Sequence, residues 1–158
     1  MGWAKINVDG AFVEQTGEAG VGILARDHSG SVCFSAWRVL FHCSSPFEAE
    51  VCAYVEGIRL ASQWIQMPLI IESDCSRVVH AFNSSKKDRS EMAFHIKEGK
   101  DLMQLLQEVE IVQVNREQNS EAHLLAQLAR RNLHSAVWLR QVPSCIAKQV
   151  DLDCTLSS

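Results

Sequence analysis

Alternation of apolar and polar residues identifies the first part of the chain as a set of strands. Ile6 and Val8 are separated and flanked by polar residues, which is the period of two that a half-buried strand requires. Two further apolar segments, 19–26 and 31–38, flank the turn-forming residues 27–30 and predict an antiparallel hairpin. The pattern predicts three consecutive strands. The first begins almost at the N-terminus, which is compatible with a domain cut from a longer chain.

A helical period replaces the alternation after residue 44. Ser45 and Glu48 have the spacing of a capping box, with Pro46 at the first helical position. They predict a helix that runs to about Gln66, and its apolar side is formed by Phe47, Val51, Tyr54, Val55, Ile58 and Ile65.

Shorter elements complete the pattern after Pro68, which ends this helix. In chain order we predict a buried strand at 69–71, a helix at 75–82, a polar loop at 83–90, a helix at 91–106 and a strand at 110–114. A last helix follows this strand, and either Asn119 or Ser120 can cap it.

This order of elements predicts an α/β fold. Three antiparallel strands in a meander, followed by two parallel strands reached through helical crossovers, give a mixed five-stranded sheet with helices on both faces. With 158 residues, 47% of them hydrophobic, the chain has enough apolar side chains for one core. We assign this domain to residues 1–135 and interpret 136–158 as a C-terminal tail that packs on the domain or trails it.

Charge, cysteine spacing and targeting patterns limit the possible partners and locations of the protein. The formal net charge of −4 excludes a global positive field, so any contact with nucleic acid must be local. The six cysteines have no zinc-like spacing and are typical of reduced thiols. Because the sequence contains no secretory leader and no apolar run of about 20 residues, we expect an intracellular protein without a membrane span, either nuclear or cytoplasmic.

Three acids are candidate ligands of a metal ion. Asp9 ends the first strand, Glu50 borders the buried side of the first helix, and Asp74 follows the strand at 69–71. Each also has an ordinary interpretation: Asp9 as a turn residue, Asp74 as a helix cap, and Glu50 as an acid at a helix border. Together they come from different elements, and a cluster of carboxylates is best tolerated when it holds divalent cations such as Mg²⁺.

Four motifs give these acids a family context. They are Lys-Ile-Asn-Val-Asp-Gly-Ala at 5–11, Glu-Ala-Glu at 48–50, Glu-Ser-Asp at 72–74 and Arg-Glu-Gln-Asn-Ser-Glu-Ala-His-Leu-Leu-Ala at 116–126. In this order and spacing the chain resembles plant-type ribonuclease H of type 1, related to the domain in reverse transcriptases of non-LTR retrotransposons. The resemblance covers nearly the whole chain and implies the ribonuclease H-like fold.

The resemblance also implies an activity: metal-dependent endonucleolytic hydrolysis of the RNA strand of an RNA/DNA hybrid, with two ions of Mg²⁺ or Mn²⁺. It assigns catalytic and metal-binding roles to Asp9, Glu50 and Asp74. Where the family pattern usually has aspartate, this chain has His123. As a fourth ligand, an imidazole would favour Mn²⁺ or Zn²⁺ over Mg²⁺, and its alternative interpretation is a solvated residue near a helix start. We expect a monomer.

Basic and polar side chains are candidates for contact with the hybrid. We predict that Lys86, Lys87 and Arg89 in the polar loop, together with Arg116 and Asn119, bind nucleic acid. Three cations beside an acid are also typical of a solvated loop.

Two other classes of function remain open. The chain could keep the fold as a domesticated module that binds nucleic acid or protein without turnover, which the presence of His123 and the acidic balance favour. It could also be another enzyme on the same fold, such as an exonuclease or an integrase-like strand transferase, although the motif spacings argue against this.

Overall fold

The computed structural model describes residues 2–146, which contain six strands, four helices of eight or more residues and a short helical segment at 144–146. A turn of 3-10 helix (Glu117–Asn119) precedes the last helix. In chain order the elements are β1 (Ala4–Phe12), β2 (Ala19–Arg26), β3 (Val32–Leu40), α1 (Pro46–Trp64), β4 (Leu69–Ser73), α2 (Ser76–Asn83), α3 (Ala93–Met103), β5 (Val109–Gln113), α4 (Ser120–Asn132) and β6 (Ala136–Leu139).

The strands form one mixed sheet in the order β5-β4-β1-β2-β3-β6. β1, β2 and β3 pair antiparallel, and β4 and β5 join them in parallel on the β1 side. The predicted meander plus two parallel strands is therefore confirmed. The structure adds a sixth strand, β6, antiparallel to β3. With four residues, two of them exposed, β6 is too short for its period to be recognised in the sequence.

Helices cover both faces of this sheet. α1 packs on β1 and β2 with α3 beside it, and α4 packs on β1, β2 and β3 from the other face. The larger core lies on the α1 side and includes Tyr54 and Ile58 of α1 together with Ile6 and Val8 of β1. The smaller core lies under α4, around Leu24, Trp37 and Leu125.

Helix α1 begins with the predicted cap. The Ser45 hydroxyl accepts a hydrogen bond from the Glu48 amide at 3.1 Å. The Glu48 carboxylate in turn accepts from the backbone and the hydroxyl of Ser44, both at 2.7 Å. The helix ends at Trp64, two residues before the predicted end.

Helix α3 is shorter than the predicted 91–106. The Asp88 carboxylate accepts from the Ser90 amide at 2.8 Å, and the Ser90 hydroxyl accepts from the Met92 amide at 3.3 Å. These side-chain bonds hold the chain in turns where the sequence pattern predicts a helix, so α3 starts only at Ala93.

Residues after the predicted domain boundary at 135 belong to the same packed body. Ser35 donates from its hydroxyl to the Gln141 carbonyl at 2.6 Å, which anchors the chain beyond β6. Trp138 packs edge-on against Trp37 with 4.8 Å between ring centroids, and Ile146 is buried in the smaller core. Residues 136–146 therefore pack on the preceding part of the chain; residues 147–158 lie outside the described part of the chain.

Two further sequence expectations concern thiols and membranes. The five cysteines among the described residues are free thiols. Within residues 2–146, no helix is both long enough and apolar enough to cross a bilayer.

Removing residues 136–146 is expected to destabilise the domain. Because fully burying one large apolar side chain contributes about 1.5–3 kcal/mol, loss of the buried Ile146 and the partly buried Trp138 should lower the free energy of unfolding by about 2 kcal/mol or more. Urea denaturation of a chain ending at residue 135 and a control ending at residue 146 isolates this segment. Equal midpoints for the two chains would contradict the packing role of 136–146.

Candidate functional site

The site begins with the close approach of α1 to β1 at Gly10. A Cβ atom at this position would lie 2.4 Å from the Ala49 carbonyl carbon and 2.7 Å from the Glu50 amide nitrogen. Both are backbone atoms that cannot turn aside, so α1 can lie here only because residue 10 has no side chain. This contact places Glu50 of α1 beside Asp9 of β1.

The parallel pairing of β1 and β4 adds the third acid. Asn7 and Glu72 are register partners, so Asp9 and Asp74 each lie two residues further along and meet at the same edge of the sheet. Ligand oxygens of Asp9, Glu50 and Asp74 all lie within 4.8 Å of one another. We call these three residues the acid cluster.

The ordinary interpretations of two acids do not hold. Asp9 is not a turn residue, because β1 continues through it to Phe12. Asp74 does not cap α2, because the cap position is Cys75 and no side chain caps that helix. Neither carboxylate has the ordinary structural task that would account for its presence.

Burial determines the protonation of the cluster. Desolvation, followed by the charge of Asp74, raises the pKa of Asp9 from 3.8 to about 6. Desolvation, followed by the charges of Asp9 and Asp74, raises the pKa of Glu50 from 4.5 to about 9. Without a counter-charge Glu50 therefore keeps a proton that an isolated carboxyl group would have lost at neutral pH.

One atom of the cluster indicates how it could be neutralised. Glu50 Oε2 is buried and has no hydrogen-bond partner among residues 2–146. A buried acceptor without a partner is costly, and a cation would satisfy it. Because the donor set is all carboxylate oxygen, it fits hard divalent cations such as Mg²⁺ and Mn²⁺.

His123 lies at the border of the cluster. A hydrogen bond of 2.8 Å joins its Nδ1 to Asp9 Oδ2, and 51% of its side chain is exposed. It does not belong to the group of ligand atoms that lie within 4.8 Å of one another, which comprises the three acids. The predicted residue is thus at the site, where it contacts one acid, and its role as a fourth ligand stays a prediction.

Glu121 cannot replace the missing acid. It lies two residues before His123, about 200° away around the helix. The residue is 2% exposed, and its carboxylate forms an ion pair of 3.0 Å with Arg26.

Asn119 has a different position from the one predicted. Its side chain is fully buried; its amide nitrogen donates to the Val8 carbonyl at 2.8 Å, and its oxygen accepts from the Asn7 amide at 3.1 Å. These contacts argue against the direct nucleic-acid contact predicted for Asn119 and correct that interpretation. Sequence reasoning also missed Asn7, because a polar residue at an alternating strand position normally indicates a solvent-facing side chain.

The predicted basic loop forms one wall of a groove beside the site. Lys86, Lys87 and Arg89 line this basic groove, whose volume is about 660 Å³, together with Phe47 and Arg77. The Arg77 guanidinium lies 3.6 Å from the centroid of the Phe47 ring. Arg77 was not predicted, although its position three residues after Asp74 was a usable signal.

The groove lies close to the acid cluster. Phe47 is one helical turn before Glu50 on α1, and Arg77 is three residues after Asp74, so both belong to segments that carry an acid. Arg116 is exposed between β5 and the 3-10 turn and does not line the groove.

Comparison with known sequences decides the family. The sequence model described as reverse transcriptase-like matches residues 7–129. The chain belongs to this family. A relative in Arabidopsis thaliana, named "Putative ribonuclease H protein", is 30% identical over 129 residues. The match covers 82% of this chain and 21% of the relative, so the chain spans about a fifth of that protein's length.

Solved structures establish the fold of this reverse transcriptase-like domain. Ribonuclease H1 from the archaeon Halobacterium salinarum superposes with a TM-score of 0.76 at 18% identity, covering 83% of this chain and 99% of that one. LC11-RNase H1, isolated from compost, was solved in complex with an RNA/DNA hybrid. That complex gives a TM-score of 0.73 at 17% identity and covers 82% and 98% of the two chains. The fold is ribonuclease H-like, as the motifs predicted.

The raised pKa values predict how stability depends on pH. At pH values between the unfolded-state pKa of 4.5 and the folded-state pKa of about 9, a larger fraction of Glu50 is protonated in the folded state than in the unfolded state. Its stabilising contribution is complete below pH 4.5 and is lost as the pH rises to 9, so the cation-free domain should lose stability over this range.

Calorimetric unfolding at a series of pH values measures this effect. Glu50→Gln removes the titrating group and should flatten the decline between pH 5 and 9, whereas the control Glu48→Gln, two residues away, should retain it. A decline of equal slope in the Glu50→Gln variant would show that this carboxyl group is not the source.

Proposed function

We propose that this domain is a metal-dependent endoribonuclease that hydrolyses the RNA strand of RNA/DNA hybrids. The observation that carries the proposal is the acid cluster, in which three elements bring carboxylate oxygens within 4.8 Å and leave buried Glu50 Oε2 without a hydrogen-bond partner among the described residues. Neither the turn at Asp9 nor the helix cap at Asp74 explains these acids, whereas the binding of Mg²⁺ or Mn²⁺ does.

Asp9, Glu50 and Asp74 would hold the divalent cations. Bound there, such cations would activate a water molecule and stabilise charge on the scissile phosphate. The chain's own contribution is to hold the carboxylates in a fixed, largely buried arrangement. His123 restrains Asp9 through the hydrogen bond of 2.8 Å, and the glycine at position 10 keeps Glu50 in place.

The hybrid as substrate is supported by the neighbours and by the basic groove. LC11-RNase H1, which has the same fold, binds an RNA/DNA hybrid in its solved complex. In this chain, Lys86, Lys87 and Arg89 would contact backbone phosphates, while selectivity would come from groove shape and RNA 2′-hydroxyls. Such binding is independent of base sequence.

A second candidate function is a binding module without turnover. The observation that favours it is His123, which places a half-exposed imidazole where the family pattern usually has a fourth carboxylate. The module would use the same groove and differ from the nuclease only in the chemical step.

Replacing Asp74 with Asn is expected to abolish cleavage of a labelled RNA/DNA hybrid. Since bound cations supply several kcal/mol of charge stabilisation, the loss should be at least about 100-fold in rate. The assay uses Mg²⁺ and Mn²⁺ separately, with single-stranded RNA as a substrate control. The matched variant is Asp101→Asn, which changes an exposed acid on α3 and should keep full activity.

The outcomes separate the candidate functions. Hybrid binding without cleavage in either metal favours the binding module, and recovery of cleavage in a His123→Asp variant would identify the imidazole as the cause. Cleavage that survives in the Asp74→Asn variant would refute the proposed site. Double-stranded DNA and DNA ends in the same panel test for a different nuclease or a strand transferase.

Removing the three groove cations is expected to weaken hybrid binding. Each lost phosphate contact should reduce the slope of log affinity against log salt concentration by about one unit. The measurement is fluorescence anisotropy over a series of salt concentrations in buffer without divalent cations. It compares a variant in which Lys86, Lys87 and Arg89 are changed to Ala with a charge-matched control. The control replaces three exposed cations outside the groove, namely Arg38, Arg131 and Arg140. Equal salt slopes for both variants would remove the groove from the binding surface.

A further inference from the structure

A buried polar network lies directly beneath the acid cluster. The Asn7 side-chain amide donates to Glu72 Oε1 at 3.0 Å and to Asn119 Oδ1 at 3.1 Å. The Asn119 amide donates to the Val8 carbonyl at 2.8 Å. Asn7 is 3% exposed and Asn119 is fully buried. We call Asn7, Glu72 and Asn119 the amide clamp.

On the sheet, two residues of the amide clamp lie just before two of the acids. Asn7 precedes Asp9 by two residues on β1, and Glu72 of β4 precedes Asp74, which directly follows that strand, by two residues. Because strand side chains alternate, Asn7 and Asp9 share a face of the sheet. The hydrogen bond between Asn7 and Glu72 therefore joins the two strands immediately below the point where their acids meet.

On the helix side, the clamp holds the start of α4. Asn119 precedes His123 by four residues, about one helical turn. It occupies the cap position of α4, where asparagine usually bonds to the helix backbone, but its side chain makes no such bond. Its amide is directed to the carbonyl of Val8, the residue immediately before Asp9. The helix thus gives up a cap bond, and its first turn is tied to β1.

Asparagine has the donor and acceptor groups that this position requires. The Val8 carbonyl needs a donor, while the Asn7 amide needs an acceptor, and one neutral amide supplies both. An ionised aspartate would have no donor for Val8 and would add negative charge below an acid cluster that already raises its own pKa values. A shorter hydroxyl side chain would not span both partners.

We propose that the amide clamp is a positioning device that sets Asp9 on β1 and His123 on α4 at hydrogen-bond distance before any cation or substrate binds. Asn7 and Asn119 act through other residues, since both are buried and neither belongs to the acid cluster. The geometric part of this proposal stands alone. Its consequence, that the clamp prepares the cluster for divalent cations, rests on the proposed function.

The first test uses cation-free protein without substrate. Long-range nitrogen–proton NMR correlations of the histidine rings report whether His123 Nδ1 is hydrogen-bonded. We expect this bond to be present in the wild type, lost in Asn119→Ala and retained in Leu125→Ala, which removes a buried α4 side chain outside the clamp. If Asn119→Ala does not fold, Asn7→Ala is used instead. It removes the bonds of Asn7 to Glu72, to Asn119 and to the Gln118 carbonyl but leaves the bond of Asn119 to Val8, so the His123 bond is expected to weaken.

The second test measures Mn²⁺ binding by titration calorimetry, together with hybrid cleavage. Loss of groups that orient metal ligands typically costs on the order of 10–100-fold in affinity, and we expect a change of that size in Asn119→Ala but not in Leu125→Ala. For cleavage, kcat should fall while KM for the hybrid stays within about twofold, because the basic groove is unchanged.

The outcomes distinguish the two proposals. If the His123 bond survives in Asn119→Ala, or is equally lost in Leu125→Ala, the amide clamp is not a positioning device. If the bond behaves as expected but the wild type binds no Mn²⁺ and cleaves nothing, the clamp stands and the proposed nuclease function fails. If wild-type binding and cleavage are normal and Asn119→Ala matches them, the preparation of the cluster by the clamp is refuted.

Discussion

The backbone contact between α1 and β1 at Gly10 is the constraint on which the site depends. With any side chain at residue 10, the Ala49 carbonyl could not lie where it does, and Glu50 would move away from Asp9. A second contact of this kind lies on the other face, where a Cβ atom on Gly22 would come within 2.0 Å of the Ala122 carbonyl oxygen. These two approaches place α1 and α4 against the sheet on either side of Asp9, so helix packing sets the spacing of the functional groups.

The electrostatic cost of the site follows from this packing. Burial at the helix–sheet junction raises the pKa values of Asp9 and Glu50, and their proximity to Asp74 raises them further. A fold selected only for stability would not collect acids there, because buried and uncompensated charge opposes folding. Stabilising contacts close by offset this cost, among them the amide clamp beneath the cluster.

Local patterns predicted much of this arrangement, and contacts between distant residues account for what they missed. Strand patterns and helix faces are local properties, so Asp9, Glu50 and Asp74 could be found from the sequence. The expectation that the first strand ends at Asp9 was wrong, because β1 continues to Phe12. The buried position of Asn119 depends on its hydrogen bond with Asn7, which is 112 residues away, and no periodicity in the sequence links the two residues. β6 was missed because its pairing with β3, rather than its own pattern, makes it a strand. The basic loop was identified from its composition, whereas Arg77, which lines the same groove, was missed because it lies outside that loop in the sequence.

The ion pair between Arg26 and Glu121 bears on how this family can diversify. This ion pair anchors α4 through the side chain of Glu121, which points away from residue 123. Leu125 and Ala129 pack the same helix into the smaller core. Residue 123 contributes little to that anchoring, since its side chain is half exposed and contacts the site. Substitutions there can alter the chemistry with little penalty in folding. In evolution, residue 123 could therefore change from a carboxylate to an imidazole, and the domain could change between cleaving and only binding its substrate, without loss of the fold.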